Sequence, residues 1–266
     1  MSLNLPPTIR FEVDDRVGRL TIDRPQAKNA LSREMYAAIR DIARSVRTDP
    51  DVDVLVITGS GGAFAVGGDL KEMRAVLTGP DPAAILDYED HLPFEAVRQL
   101  PKPTIAVIDG LCMGGGLTLA LMCDLRVATE TSTFAIPEAR VGIVDGHLPR
   151  LLRDRIPPAV LRLWTYTGVS FTAQDAWRYG LLSTLAADTE DLERRLGTLV
   201  EQLRGASLPA IAKLKSIFSE AMPLPSMTDA YDTLLSEEVL LHLQGFGAER
   251  KTGTAATTQA NEGNER

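Results

Sequence analysis

Two runs of glycine, each directly ahead of an apolar helix-like stretch, are the residues best suited to hold a ligand. Gly67-Gly68 precedes "DLKEM", and the run from Gly114 to Gly116 precedes "LTLALM". A residue without a side chain lets a ligand approach the backbone, and the first N–H groups of a helix have no partner inside the helix. If the two turns converge, they form an oxyanion hole with two donors, each worth about 3–4 kcal/mol to a developing negative charge.

Candidate acids and bases lie downstream of the second glycine run. Glu138 stands in "FAIPEARVG", and Asp145 and His147 stand in "GIVDGHLPRLL". Each has an ordinary structural interpretation as well. Glu138 could pair with Arg140, Asp145 could form a turn with the glycine that follows it, and a lone histidine is usually a surface or core residue. Singly, none of these residues identifies a site.

The composition argues against several classes of protein. The chain of 266 residues has a net charge of −8 and a pI near 5.0, which argues against nucleic acid and anionic membrane as partners. No run of about 18 apolar residues could span a membrane, and the N-terminal stretch is too polar for a signal peptide. Cys112 and Cys123 lack metal-type spacing, so buried reduced thiols and no metal site are expected. We therefore expect a cytoplasmic protein.

The N-terminal half alternates strand-like and helix-like segments, which favours an α/β layered fold. Short β-rich apolar runs predict strands at residues 18–22, 52–58, 104–108, 125–129 and 133–136. A helix is predicted after Ser32, its N-cap, and a helical pattern begins near Pro157. The helices are expected to stop at Gly168, Gly180 and Gly205. The segment 77–93 is either a surface connection or a mobile cover over a site.

Four stretches, in this order, resemble the crotonase (enoyl-CoA hydratase/isomerase) superfamily. They are "RPQAKNALS" (24–32), "GGAFAVGGDLKEM" (61–73), "PTIAVIDGLCMGGGLTLALMCDLRVAT" (103–129) and "FAIPEARVGIV" (134–144). The resemblance implies a spiral of ββα turns with a C-terminal helical trimerisation region, assembled as a homotrimer or a dimer of trimers. Accordingly, residues 1–200 are expected to form the core with the acyl-CoA site, 201–247 a helical region and 248–266 a disordered tail.

The same resemblance assigns a binding site for an acyl-CoA thioester, with no cofactor besides the coenzyme A of the substrate. Its carbonyl oxygen would be held by the N–H groups of Gly68 and Gly115 as the thioester becomes an enolate. Further substrate contacts are expected from the backbone and side chains of Ala27, Lys28, Ala65, Val66, Asp69, Leu70 and Thr118.

Hydratases of this family carry two glutamates, and this chain carries only the second. It has Thr118 at the first position and Glu138 at the second. Threonine can bind a water but cannot exchange a proton near neutral pH. One carboxylate beside an oxyanion hole suffices to shift a double bond, with Glu138 taking a proton from C2 of a 3-enoyl-CoA and returning it to C4. We therefore expect an isomerase.

Two alternatives remain open at the level of sequence. Asp145 or His147 could serve in hydration, dienoyl-CoA isomerisation or thioester hydrolysis, since dienoyl-CoA isomerases of the family have an aspartate near the position of Asp145. The chain could also be a non-catalytic binder of acyl-CoA or RNA, although the acidic composition argues against RNA. A non-catalytic binder would tolerate Glu138→Gln, and an enzyme would not.

Overall fold

Two sheets carry the fold in the computed structural model, which describes residues 3–220 and residue 241. The strands are Ile9–Asp14 (β1), Val17–Ile22 (β2), Val54–Gly59 (β3), Ala63–Ala65 (β4), Thr104–Ile108 (β5), Leu111–Met113 (β6), Leu125–Thr129 (β7), Thr133–Ala135 (β8), Phe171–Thr172 (β9) and Thr184–Ala186 (β10). The first sheet has the order β1-β2-β3-β5-β7-β10, and the second has the order β4-β6-β8-β9.

Helices of very different burial pack around these sheets. They are Arg33–Val46 (α1), Leu70–Leu77 (α2), Phe94–Arg98 (α3), Gly115–Met122 (α4), Leu148–Leu152 (α5), Pro158–Thr167 (α6), Ala173–Arg178 (α7), Thr189–Arg204 (α8) and Leu208–Glu220 (α9). Three 3-10 helices lie at Pro25–Ala27, Pro82–His91 and Glu138–Val141. Among the described helices, none is both long and apolar enough to cross a membrane.

The chain winds as a spiral in which each turn adds one strand to each sheet. β3, β5 and β7 are parallel neighbours in the first sheet, and the strands that follow them, β4, β6 and β8, are parallel neighbours in the second. β5 is buried along its whole length, as expected for a parallel strand covered on both faces. Because β4 and β6 are adjacent, the two glycine turns that follow them are brought together.

Helix α1 begins and packs as its sequence predicts. The side chain of Ser32 accepts a hydrogen bond from Met35 N, which satisfies one free donor of the first turn. Met35, Ile39 and Ile42 recur at helical spacing and are fully buried in the main core. The predicted stops near Gly168 and Gly205 are also confirmed, since both glycines are the C-caps of their helices.

The strand predictions need four corrections. Strands 104–108 and 125–129 are observed with the predicted bounds, β2 begins one residue early at Val17, and β8 ends one residue early at Ala135. β3 begins at Val54 because Val52 N donates to Asp49 O and is held in a turn. The fourth correction is that strands β1, β4, β6, β9 and β10 were not predicted at all.

The C-terminal helical region is described as far as residue 220, together with residue 241. Helix α9 is fastened to the core by Lys215, whose Nζ lies 2.5 Å from Asp124 Oδ2 and 2.9 Å from Lys102 O. The rest of the region 201–247 and the tail 248–266 lie outside the described residues. The division of the chain into three parts stays a prediction.

Candidate active site

The two glycine turns meet, as the sequence analysis requires for an oxyanion hole. A Cβ atom built on Gly67 would lie 3.0 Å from Gly115 N, and one built on Gly115 would lie 3.8 Å from Gly68 N. The same position on Gly115 is 2.5 Å from the Tyr36 hydroxyl oxygen, so a side chain there would collide with it. Glycine at these positions is what allows the turns to approach each other.

The backbone around Gly68 orients its N–H toward the second turn. Leu31 N donates to Gly67 O at 2.8 Å, and Asp69 N donates to Leu31 O at 2.9 Å. The groups on either side of Gly68 therefore point at Leu31, and in an extended segment the N–H of Gly68 itself points the opposite way. That direction leads away from Leu31 and toward the approaching turn at Gly115.

Helix α4 begins with its N-terminal turn open. Gly114, its N-cap, has a φ of 52° and has no side chain that could cap the helix, and its own N–H donates to Ala135 O at 3.1 Å. Gly116 packs on the carbonyl oxygen of Ala65 with no room for a Cβ. Gly115 is thus the first residue of a buried helix whose free N–H groups and dipole favour a negative charge.

Glu138 lies directly against this turn. A Cβ built on Gly114 would be 2.5 Å from Glu138 Oε1, while Oε2 is buried with no hydrogen-bond partner among the described residues. Burial, and secondly the negative charge of Asp145, raise the pKa of Glu138 to about 8. The buried Oε2 without a partner among the described residues, next to an exposed Arg140, argues against the alternative interpretation of Glu138 as a salt-bridged loop residue.

Asp145 reaches the same site from the loop after the Glu138 turn. Its Oδ1 accepts hydrogen bonds from His147 N at 2.7 Å and Leu148 N at 2.8 Å. Its Oδ2 accepts a hydrogen bond from the Thr118 hydroxyl at 2.8 Å. Asp145 therefore forms the turn that its sequence suggests, and in addition it binds Thr118, the residue that the resemblance compares with the first glutamate of hydratases.

His147 is buried next to Asp145. Its Nδ1 is 3.9 Å from Asp145 Oδ1, and its ring packs edge-on against Phe94 at a centroid distance of 5.1 Å. The imidazole thus supports the loop and the wall formed by α3. The structure brings Gly68, Gly115, Glu138, Thr118 and Asp145 together.

The residues predicted to contact the coenzyme lie on the loop before α1 and on the first glycine turn. Ala27 ends a 3-10 helix, and Lys28 follows it in the left-handed region with a φ of 52°. Asp69 caps α2 by accepting from Lys71 N and Glu72 N, and its Oδ2 lies 2.6 Å from Arg24 Nη1. The assignment of these positions to the substrate stays a prediction for Ala27, Lys28, Ala65, Val66, Asp69 and Leu70.

Asn29 orders the loop before α1 through its side chain, a role that was not predicted from the sequence. It is fully buried with a φ of 57°, and its Oδ1 accepts from Arg24 N at 2.8 Å. Its Nδ2 donates to Ser60 O at 2.9 Å and Ala63 O at 2.6 Å, which ties this loop to the residues on either side of Gly61-Gly62. The signal in the sequence was an asparagine between a polar loop and a helix start, a residue type that tolerates the left-handed region.

An apolar cluster borders the glycine turn and the Glu138 loop. Met73 Sδ lies 3.5 Å from the Cβ position of Gly68, and the cluster comprises Leu70, Met73, Val76, Leu77, Ile85, Val141 and Ile143. Ile85 is fully buried on the 3-10 helix Pro82–His91, which Arg33 holds through a 2.9 Å hydrogen bond to Ala84 O. The segment 77–93 therefore contributes to this wall, while its mobility stays a prediction.

These features define an enzyme site of the kind that holds a developing oxyanion. Two backbone turns present N–H groups to one point, a buried carboxyl group with a raised pKa lies against one of them, and an apolar wall lies against the other. Such donors are worth most where water is excluded.

The family model described as "Enoyl-CoA hydratase/isomerase" matches residues 12–242. The chain is 36% identical over 253 residues to a probable enoyl-CoA hydratase of Mycobacterium bovis, covering 94% of each chain. It is 34% identical over 223 residues to the (E)-benzylidenesuccinyl-CoA hydratase of Thauera aromatica, covering 81% of this chain and 84% of that one. A solved structure from Acinetobacter baumannii, titled a putative enoyl-CoA hydratase/isomerase, matches with a TM-score of 0.80 at 25% identity and covers 91% of this chain and 100% of that one.

The chain belongs to the enoyl-CoA hydratase/isomerase family, within the crotonase superfamily. The α/β spiral expected from the resemblance is confirmed by the fold and by these matches. The protein is accordingly an enzyme of the crotonase family.

Proposed function

We propose that the enzyme shifts the double bond of a 3-enoyl-CoA to give the conjugated 2-enoyl-CoA, with Glu138 as the single group that exchanges protons. The observation that carries the proposal is Glu138 Oε2, which is buried beside the oxyanion turns with no hydrogen-bond partner among the described residues. Asp145, in contrast, already accepts three hydrogen bonds from Thr118, His147 and Leu148. Of the two carboxylates, Glu138 is the one with an oxygen left for substrate.

In the proposed reaction Glu138, ionised, removes a proton from C2, and the electrons of that C–H bond move into the dienolate. The N–H groups of Gly68 and Gly115 hold the enolate oxygen. Glu138 then gives the proton to C4, and collapse of the dienolate leaves the double bond between C2 and C3. A group that must both take and return a proton works best with a pKa near the operating pH, and burial raises the pKa of Glu138 to about 8.

Hydration of a 2-enoyl-CoA, or the reverse dehydration, is the second candidate. It is favoured by the names of the relatives, which include a hydratase and a carnitinyl-CoA dehydratase of Salmonella typhi that is 34% identical over 212 residues. A second carboxylate is also available in Asp145, which contacts the position of the missing glutamate through Thr118. In this reaction Asp145 would have to give up one of its three donors to a water.

The test is to mix purified protein with a 3-enoyl-CoA and follow the absorbance of the conjugated thioester. Absorbance should rise with the native protein, and Glu138→Gln should lower the rate by about 10²–10⁴-fold because the general acid–base is lost. Glu201→Gln is the matched control, since Glu201 is an exposed glutamate on α8 and should leave the rate unchanged.

A parallel assay with a 2-enoyl-CoA distinguishes the two candidates. Hydration consumes the conjugated thioester, so its absorbance falls. No rise with the 3-enoyl-CoA together with a fall with the 2-enoyl-CoA would overturn the isomerase proposal in favour of hydration. Tight binding of acyl-CoA with neither change would indicate a non-catalytic binder.

The remaining parts of the proposal follow from the family. The 24–28 loop and the first glycine turn hold the coenzyme A moiety through Ala27, Lys28, Ala65, Val66, Asp69 and Leu70, and no separate cofactor is needed. The enzyme acts in the cytoplasm as a homotrimer or a dimer of trimers, which size-exclusion chromatography with light scattering would test.

A further inference from the structure

We propose that Thr118 and Asp145 form a positioning pair that fixes a negative charge beside Glu138, so that Glu138 alone exchanges protons. The inference rests on the proposed function in taking Glu138 as the proton-exchanging group, and it assigns a role to the threonine that replaces the first glutamate. Thr118 and Asp145 would act through Glu138 and would not themselves touch the reacting atoms.

The first step is the direction of the Thr118 hydroxyl. Thr118 is fully buried, and its Oγ1 is 3.4 Å from Gly114 O and 2.8 Å from Asp145 Oδ2. A hydroxyl has one proton to donate, and a carboxylate at the shorter distance is the stronger acceptor. Thr118 is therefore committed to Asp145.

The second step is the fixed orientation of Asp145. Backbone N–H groups of His147 and Leu148 hold Oδ1, and Thr118 holds Oδ2, so both oxygens are anchored from different elements. The side chain is 10% exposed. Rotation about its side-chain bonds would break at least one of these bonds. All three partners donate, as suits a carboxylate that only accepts.

The third step is the contrast with Glu138. Its Oε2 has no partner in the described part of the chain, and the charge of Asp145 adds to burial in raising the pKa of Glu138. Further titratable side chains on its turn and on neighbouring described elements include His147, Arg140, Arg162, Tyr166 and Tyr36. Arg140, Arg162 and Tyr166 are exposed, and Arg140 packs its Cδ against Gly168. Asp145 is thus the charged group that sets Glu138 apart.

The experiment compares Asp145→Asn, Thr118→Val and Thr118→Ser in the full-length protein. An asparagine keeps an oxygen for the two backbone N–H groups but removes the charge, valine keeps the shape of threonine but removes the hydroxyl, and serine keeps the hydroxyl. Thermal unfolding would show that each variant folds. The titration of Glu138 is followed by the infrared band of its carboxylate, identified by its loss in Glu138→Gln.

The Asp145→Asn variant should lower the titration midpoint of Glu138 by about 1 pH unit, since a like charge has been removed. Thr118→Val should shift it in the same direction by less, and Thr118→Ser should leave it unchanged. The pH profile of kcat for isomerisation should move with the infrared midpoint, because the base must be ionised, while KM stays constant.

An unchanged midpoint in Asp145→Asn would overturn the proposal. A shift in Asp145→Asn without one in Thr118→Val would overturn the role of Thr118. Because the infrared titration needs no turnover, an enzyme that shows these shifts but does not isomerise a 3-enoyl-CoA would contradict the proposed function and support the positioning pair.

Discussion

The two glycine turns of the site begin alike and end differently. Each follows a three-residue strand of the second sheet and leads into a helix of eight residues, α2 or α4. The first helix is capped by Asp69, whose carboxylate accepts from two N–H groups of its first turn. The second helix has Gly114 at its N-cap, which makes no side-chain hydrogen bond to the first turn.

The difference assigns separate tasks to the two turns. At the first turn, Asp69 and its 2.6 Å ion pair with Arg24 satisfy the helix start, so the turn offers the strand-like N–H of Gly68 alone. At the second turn the helix start stays open, so Gly115 offers its N–H together with the positive end of the α4 dipole. We call the turn at Gly68 closed, because the Asp69 side chain caps the helix that follows it. We call the turn at Gly115 open, because the N–H groups and the positive dipole end of α4 stay available to a negatively charged ligand.

The largest effect is expected from Gly114→Ala at the open turn. A Cβ there would lie 2.5 Å from Glu138 Oε1, and the φ of 52° is one that side chains rarely adopt. The alanine would displace Glu138, the proposed base. The kcat for isomerisation of a 3-enoyl-CoA should therefore fall by about 10³-fold, within the range for loss of a general base. Steady-state kinetics of the purified variant would measure this.

The control for strain is Gly62→Ala on the loop before β4. Gly62 has a φ of 75°, but its Cβ would meet no atom within 4 Å among the described residues. Gly62→Ala therefore has the conformational cost of an alanine at positive φ without a steric clash. Its kcat should stay within about threefold of the native value. A Gly114→Ala variant as active as Gly62→Ala would show that Glu138 does not depend on the open turn.

The parts of this site that could be predicted are those that depend on residue type within a short stretch. Gly68 and Gly115 are recognisable because only glycine permits the close approach, and Glu138 because it follows the third matching stretch at a fixed spacing. Helix α1 could be predicted from its N-cap and its apolar stripe. The N-cap and apolar stripe of α1 lie within a single helix, whereas Glu138 is assigned also from the order and spacing of the matching stretches.

The parts that could not be predicted depend on contacts between distant residues or on very short elements. The bond from Thr118 to Asp145 spans 27 positions, and no local pattern encodes it. β4 and β6 have three residues each, too few to show a period of two. The bonds of Asn29 to Ser60 and Ala63 span 31 and 34 positions, so no local pattern encodes them either.

A second prediction concerns the stability cost of the buried carboxyl beside the open turn. The pKa of Glu138 is about 8 in the folded chain against an ordinary value of 4.5, so between these values the folded state holds a proton that the unfolded state has lost. Stability therefore falls as pH rises through this window. Glu138→Gln carries no such proton and should gain about 2 kcal/mol relative to the native protein between pH 6 and pH 8.

Chemical denaturation of both proteins across this pH range would measure the difference. Glu201→Gln is the control, since it makes the same substitution at an exposed position of α8. If the free energies of unfolding of Glu138→Gln and the native protein ran parallel across this pH range, Glu138 would have an ordinary pKa. The inference that Glu138 differs from the fully hydrogen-bonded Asp145 would then be wrong.

The smallest effect is expected at the closed turn, where Asp69 can be changed in two ways. Asp69→Asn keeps a good N-cap but loses the charge that faces Arg24, and Asp69→Ala loses both. We expect Asp69→Ala to lower the free energy of unfolding by about 1–2 kcal/mol and Asp69→Asn by less than about 1 kcal/mol. Ser32→Ala at the start of α1 is the matched control for a cap without an ion pair, with an expected loss of about 1 kcal/mol.

The kinetics of these variants then decide how Asp69 belongs to the site. The backbone on either side of Gly68 is held by hydrogen bonds of Gly67 O and Asp69 N to Leu31, which do not involve the Asp69 side chain. The kcat and KM of Asp69→Asn should therefore stay near the native values. An unchanged KM would mean that this position meets the acyl-CoA through its backbone, as the closed turn implies. A KM of Asp69→Asn raised tenfold or more at unchanged stability would mean that the Asp69 carboxylate, or the Arg24 that it orients, recognises the substrate. In that case the side chains of the first turn would contact the ligand, as the N–H groups of the second turn do.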